Sequence, residues 1–229
     1  MTRFQNRRQA GRLLADALQR LPMEEPVLVL GLPRGGLPVA AEIAEALDAP
    51  LDVCVVRKLG VPGQEELAFG AIASGGARVF NDDVIDAWQL SPDDTHSVIQ
   101  HEQRELRRRE LAFRGDHPFP KVAGHTVIVA DDGAATGATM RAAVAALRRL
   151  FPRRIIAAVP VASHDAITLL RQVADDCIVL SAPEPFYGVG LWYDDFAQTS
   201  DKTVRALLED ARKRDLASTR PGAAIGEYA

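Results

Sequence analysis

Lysine is nearly absent from this chain. Lys58, Lys121, Lys202 and Lys213 stand among 27 basic residues, and 31 acidic residues bring the formal net charge to −4. A mildly acidic chain is poorly suited to gripping nucleic acid through bulk charge, so no nucleic-acid partner is expected. The bias toward arginine and alanine reflects genome composition rather than function. Cysteine is as rare: Cys54 and Cys177 lie in the apolar runs LDVCVV and DCIVL. Two isolated cysteines make neither a disulfide framework nor a zinc knuckle, and both read as buried small apolar residues. The histidines (96, 101, 117, 125 and 164) show no HExxH spacing, and no GxSxG occurs. That excludes a caged transition metal of that type and the nucleophile elbow of a serine hydrolase. No apolar run approaches the length of a membrane span. The opening MTRFQNRRQAGRLLADAL has charges but no uninterrupted apolar core, so no secretory signal is read. The expectation is a cytoplasmic protein without a membrane partner.

What is present is ordinary globular chemistry: 229 residues, 47% apolar and 25% charged. Such values exclude disorder as the main state and fit one domain or two small ones. Short apolar runs alternate with helical spacing. Strands are predicted at 27–31, 51–56, 125–132, 153–162 and 176–182, and helices at 5–20, 38–47, 91–113, 141–150, 164–173 and 201–214. Residues 57–66 read as a polar loop, and 67–73 with 77–80 as a hairpin. Buried strands alternating with helices predict a doubly wound, mainly parallel α/β sheet. A single domain over 1–214 is expected, with an irregular aromatic segment at 183–198 and a loose tail at 215–229. Ligands of such sheets sit at the C-terminal ends of the strands.

The segment VIVADDGAATGAT (127–139) follows a strand and opens a helix. Its loop is built from Gly133, Ala134, Ala135, Thr136, Gly137, Ala138 and Thr139. Residues this small let backbone N–H groups approach a ligand, and a helix N-terminus favours a phosphate. Asp131 and Asp132 beside it would repel a phosphate but suit hydroxyls or a metal. The ligand expected from these residues has a phosphate at one end and a diol nearby, as ribose 5-phosphate does.

This segment resembles the thirteen-residue signature of the type I phosphoribosyltransferases. The resemblance implies that Asp131 and Asp132 bind the ribose hydroxyls and that residues 133–139 bind the 5-phosphate. GLPRGGLPVA (31–40) resembles the pyrophosphate loop of that family, which often holds a cis peptide that does not precede proline. Arg34, Gly35 and Gly36 carry that role over, and Arg34 offers a forked cation to phosphate oxygens. RKLGVPGQEELAFGAIA (57–73) matches a region that closes over the family's site. Arg57 and Lys58 there would neutralise departing diphosphate.

Phe186, Tyr187, Trp192, Tyr193 and Phe196 hold five of the thirteen aromatics. They match the family's variable hood, with Trp192 and Tyr193 as the favoured stackers on an acceptor ring and Asp194 and Asp195 as polar readers. A small satellite core or a dimer contact is an equal reading. The helix HEQRELRRRELAFR (101–114) pairs its arginines with glutamates, Glu105 with Arg109 and Glu110 with Arg114, and reads as a solvated face. A face lining the phosphate site is another option.

The resemblance implies displacement of pyrophosphate from 5-phosphoribosyl 1-diphosphate (PRPP) by an unidentified acceptor. It implies Mg²⁺ held mainly by PRPP and water, and a homodimer. The catalytic set would be Arg34, Arg57, Lys58, Asp131 and Asp132, with Glu66 or Asp194 as candidate bases. Ala135 stands where hypoxanthine-guanine enzymes carry an acid, which weakens a 6-oxopurine assignment. A non-catalytic PRPP sensor is the alternative. The roughly 26 residues before the first strand are too few for an added winged-helix domain. A ribosyl phosphate hydrolase or phosphorylase is a third reading.

Overall fold

The computed structural model describes residues 3–218 of the chain. Five strands form a wholly parallel sheet: β1 (Val27–Gly31), β2 (Leu51–Val53), β6 (Thr126–Ala130), β7 (Arg154–Val161) and β8 (Asp176–Ser181). Their order is β2-β1-β6-β7-β8. Between β2 and β6 the chain makes a second, antiparallel sheet of β3 (Val56–Val61), β4 (Gln64–Ala73) and β5 (Ala77–Phe80). The helices are α1 (Arg7–Leu18), α2 (Gly36–Ala46), α3 (Asp82–Ala87), α4 (Pro92–Arg114), α5 (Ala138–Arg148), α6 (His164–Arg171) and α7 (Asp201–Ser218).

Alternation of side chains along each parallel strand divides the core in two. Val27, Val29, Ile128 and Ile156 face one side, where they pack with Leu14 of α1, Leu37 and Ile43 of α2, and Leu208 of α7. Leu28, Leu30, Val127, Val129 and Ile155 face the other, against Val144 and Leu147 of α5 and Leu170 of α6. Burial on both faces explains why these strands read as continuous apolar runs. Each fully buried Val, Leu or Ile contributes about 1.5–3 kcal/mol, so the sheet is the stable frame of the molecule.

The strand order reverses between β1 and β6. From β1 the chain crosses through α2 to β2 on one side; from β6 it crosses through α5 to β7 on the other. The two outgoing loops therefore start side by side, with Gly31 in register with Ala130. A crevice opens at such a reversal beyond the strand ends.

Several elements differ from the sequence reading. Residues 57–66 are the arms of a hairpin rather than a loop: Val56 pairs with Ala73 and Leu59 with Gly70, and the connection is Pro62 and Gly63 (φ 78°). Leu59, Val61 and Phe69 are buried beneath it, while Gln64, Glu65 and Glu66 are the exposed end of a strand. Their polarity disguised a strand that projects beyond the core. The run 51–56 divides after Val53, where the chain leaves one sheet for the other. Asp82–Ala87 is a helix with no buried residue, so it carried no apolar period to find. The last helix reaches Ser218, taking in 215–218; residues 219–229, the rest of the expected tail, lie outside the described residues. Cys54 is buried, and burial pushes its thiol up to about 12; Cys177 is half-buried.

The long helix α4 starts at a capping box of Ser91 and Asp94, with Pro92 at its first position. Its last residue, Arg114, is not on a solvated face. It is buried, donating to Asp52 Oδ1 and to the Val53 carbonyl oxygen, both at 2.8 Å. Arg114 does pair with Glu110, but Glu105 pairs with Arg108 rather than Arg109. No helix among the described residues is long and apolar enough to cross a membrane.

Candidate active site

The site grows from the two loops at the strand reversal. After β6, Asp131 and Asp132 are half-buried, and the Asp132 N–H donates to Asp131 Oδ1 at 2.8 Å. Desolvation, and then the charge of Asp132, push the Asp131 carboxyl well above the ordinary carboxylate range; the Asp132 N–H and Arg7 pull the other way. The loop then crosses the end of β7. The Ala134 N–H donates to the Val161 carbonyl oxygen at 2.9 Å, and Ser163 Oγ donates to the Ala135 carbonyl oxygen at 2.6 Å. Gly137 (φ 70°) turns the chain into α5. Ala135, Thr136 and Thr139 are exposed, next to the free N–H groups that any helix presents at its first turn.

After β1 comes the glycine pair. A Cβ on Gly35 would lie 2.0 Å from Asp132 Oδ2, and one on Gly36 would lie 2.6 Å from the Ala130 carbonyl oxygen. No other residue type fits, so the PRGG loop and the acid pair are two halves of one packed unit. The Pro33–Arg34 peptide is cis. Arg34 is exposed and lies 3.4 Å from Asp201 at the start of α7.

Arg57 and Lys58 are successive residues of β3. Both line a cleft of about 680 Å³ with Glu65, His101, Glu102 and Thr139. Thr139 ties this cleft to the phosphate-type loop. Arg57 Nε donates to Glu102 Oε2 at 2.6 Å, which makes α4 a wall of the site. Of the two options for that helix, lining the site applies to its Glu102 face. Lys58 also borders a second cavity with Ala138 and Arg141, as does Glu66. Glu65, rather than Glu66, faces the cleft.

The aromatic segment behaves differently from its reading. Tyr193 is 1% exposed, packed on Phe4 (5.5 Å between ring centroids) and Phe196 (5.1 Å). Its hydroxyl donates to the Asp132 carbonyl oxygen at 2.6 Å, and burial raises its phenol pKa. A ring so enclosed cannot stack on an acceptor; it props the acid pair from below. Trp192 is half-buried in the same cluster. Asp194 is paired with Arg3 at 3.4 Å, and Asp195 accepts from the Ala197 N–H. Phe186 and Tyr187 instead line a cavity of about 440 Å³ with Ala135, Ser163 and His164.

Arg7 is a site residue that the sequence reading missed. Its Nε donates to Asp132 Oδ2 at 2.8 Å, and its side chain is 11% exposed. The available signal was an arginine at the first position of α1, where a helix favours acids. Glu102 was missed because its partner lies 45 residues away on another element. Among the described residues no three His, Cys, Asp or Glu side chains gather at one point. The donor set is the two carboxylates of Asp131 and Asp132. That fits a hard cation held largely by ligand oxygens rather than by a protein cage.

The acid pair and the small-residue loop thus sit together at the reversal point of a doubly wound sheet. The phosphoribosyl transferase domain model matches residues 2–190, and the chain belongs to that family. It is 45% identical over 213 residues to a Mycobacterium tuberculosis protein carried under a provisional phosphoribosyl transferase name. That match takes in 93% of this chain and 48% of the relative, so the chain spans about half the length of the curated relatives it matches. The crystal structure of TT1426 from Thermus thermophilus is similar at a TM-score of 0.84 and 41% identity, over 91% of this chain and 99% of that one.

Proposed function

We propose that this chain is a phosphoribosyltransferase that displaces pyrophosphate from PRPP with a nitrogenous acceptor. The observation that carries the reading is the fit of Asp132 onto the Gly35 Cα, beside a small-residue loop that opens α5. It makes one concave unit with acceptors for a diol and N–H donors for a phosphate. On this reading Asp131 and Asp132 hold the ribose hydroxyls, residues 133–139 bind the 5-phosphate, and Arg34, Arg57 and Lys58 take the diphosphate. The bond from C1 to diphosphate breaks and a bond from C1 to the acceptor nitrogen forms, with the acceptor proton passing to solvent or a base. Positive charge developing on the sugar is stabilised by the two carboxylates. When bound, Mg²⁺ would supply charge neutralisation of the diphosphate, carried mainly on ligand oxygens. The cavity at Phe186 and Tyr187, bordering Ala135, is the place we assign to the acceptor ring.

A binding-only protein is the second reading. What favours it is that two of the three cations are already paired, Arg57 with Glu102 and Arg34 with Asp201. The test is calorimetric titration of PRPP with Mg²⁺ into the wild type and the Asp131→Asn/Asp132→Asn variant, followed by pyrophosphate release with a panel of bases. Micromolar binding lost in the variant is expected; no binding by the wild type overturns both readings. Release of pyrophosphate decides for the enzyme.

A further inference from the structure

Arg7 occupies a position that disfavours it. The first turn of α1 contains Arg7 and Arg8 and no acid, although a helix N-terminus repels cations. Other contacts hold it there. One terminal guanidinium nitrogen donates to the Ala197 carbonyl oxygen at 2.8 Å, and the guanidinium carbon lies 3.8 Å from the centroid of Phe196. The remaining bond goes to Asp132 Oδ2. The segment that delivers Arg7 is buckled to the aromatic hood. Phe4 N–H donates to the Trp192 carbonyl oxygen at 2.9 Å, and Asp194 N–H donates to the Phe4 carbonyl oxygen at 2.8 Å. Arg3 donates to the Tyr193 carbonyl oxygen at 2.7 Å, and the Asn6 side chain caps α1 by accepting from the Gln9 N–H.

Asp132 is thereby gripped at three atoms. Arg7 holds Oδ2, Tyr193 holds the carbonyl oxygen, and the N–H is given to Asp131. Among the described residues no N–H donor reaches Oδ1, so the Asp132 carboxylate, whose other neighbour is the Asp131 side chain, offers Oδ1 to a ligand hydroxyl. Arg7 is also the cation in contact with a pair of adjacent acids, where its charge offsets the second carboxylate.

We propose that Arg7 is a positioning residue for recognition of the sugar diol: the buckle between residues 3–7 and the hood locks Asp132 so that Oδ1 meets a ribose hydroxyl. The proposal rests on the ribose-phosphate reading of the site. Arg7 stays in place when the sugar binds, because Ala197 and Phe196 hold it independently of Asp132. It is therefore not a plug that the ligand must expel.

The test uses ribose 5-phosphate and inorganic pyrophosphate as separate probes in calorimetry, with thermal melts as the check on folding. Arg7→Ala is expected to weaken ribose 5-phosphate by about tenfold or more while pyrophosphate binding changes by less than about twofold. Arg7→Lys is expected to recover part of that loss, since an ammonium on a flexible stem still reaches a carboxylate. Unchanged or tighter ribose 5-phosphate binding in Arg7→Ala overturns the proposal, the tighter outcome identifying a plug. Equal weakening of both probes also overturns it, because that is what a merely structural role would give. If Arg7→Ala does not fold, Arg7→Gln, which keeps a donor and loses the charge, decides on the same criteria. A wild type that binds pyrophosphate but not ribose 5-phosphate instead breaks the site reading itself, and the proposal falls with it.

Discussion

The two halves of the site are built on different principles. The side we assign to the ribose is half-buried and already assembled: Asp131 and Asp132 pack against Gly36 and Gly35, and Tyr193 and Arg7 hold Asp132. The side we assign to the diphosphate is dispersed. Arg34 leaves the β1 loop, Arg57 and Lys58 leave a projecting hairpin, and two of these cations are paired with carboxylates on helices distant in sequence. A ligand entering the first half meets fixed acceptors. A ligand entering the second meets Lys58, for which no ion pair is found among the described residues, and competes with Glu102 and Asp201 for the two arginines. The first half thus sets geometry, and the second sets the charge balance that a diphosphate has to outcompete.

The comparison is broken most severely at Gly35. Gly35→Ala drives a methyl group into Asp132, and displacing that carboxylate by about 1 Å is expected to weaken ribose 5-phosphate on the order of a hundredfold. Pyrophosphate binding should fall much less: Gly35 also belongs to the loop assigned to the diphosphate, but Arg57 and Lys58 stand apart from it. Calorimetry with the two probes checks this, and equal loss of both would show that the halves are not separable.

A second effect follows from the raised pKa of Asp131. The folded-state value lies above the ordinary 3.8. Protonated Asp131 therefore favours the fold: this contribution is full below that ordinary value and disappears as pH rises through the folded-state value. Above the ordinary value the unfolded chain ionises this group without that cost, so the wild type loses stability as the pH rises. Asp131→Asn should therefore melt higher than wild type at pH 7.5, and the gap should shrink as the pH falls toward 4, while ribose 5-phosphate binding is lost. Melting curves across that range read it directly. A gap that does not narrow would place the strain elsewhere.

The smallest effect sharpens the other half. Glu102→Gln releases Arg57 from its 2.6 Å partner and should tighten pyrophosphate by about threefold, an ordinary gain for a partly exposed pair. Ribose 5-phosphate should be unaffected.

The same division governs what could be read in advance. The acid pair, the glycine pair and the small-residue loop sit in two contiguous segments that each join a strand to a helix. Local chemistry identifies them: Gly35 and Gly36 tolerate close approach, and residues 133–139 expose backbone. Arg7 and Glu102 were not legible because each acts across 125 or 45 residues of chain. Tyr193 was misread for a related reason. An aromatic in a glycine-containing loop suits a stacking surface and a satellite core equally, and its 1% exposure is a property of what packs over it. The hairpin at 57–66 misled because half of it stands beyond the core, where polar residues are free to occupy a strand.

By itself, the sequence determined the alternation of buried strands and helices, the reversal-point loops and the chemistry they offer, since these depend on periodicity and on residues adjacent in the chain. The tertiary structure alone decided which cations are free, which acid oxygen is left open, and which aromatics face a cavity. Those outcomes depend on neighbours brought together from distant segments, and charge pairing and burial act through space rather than along the chain.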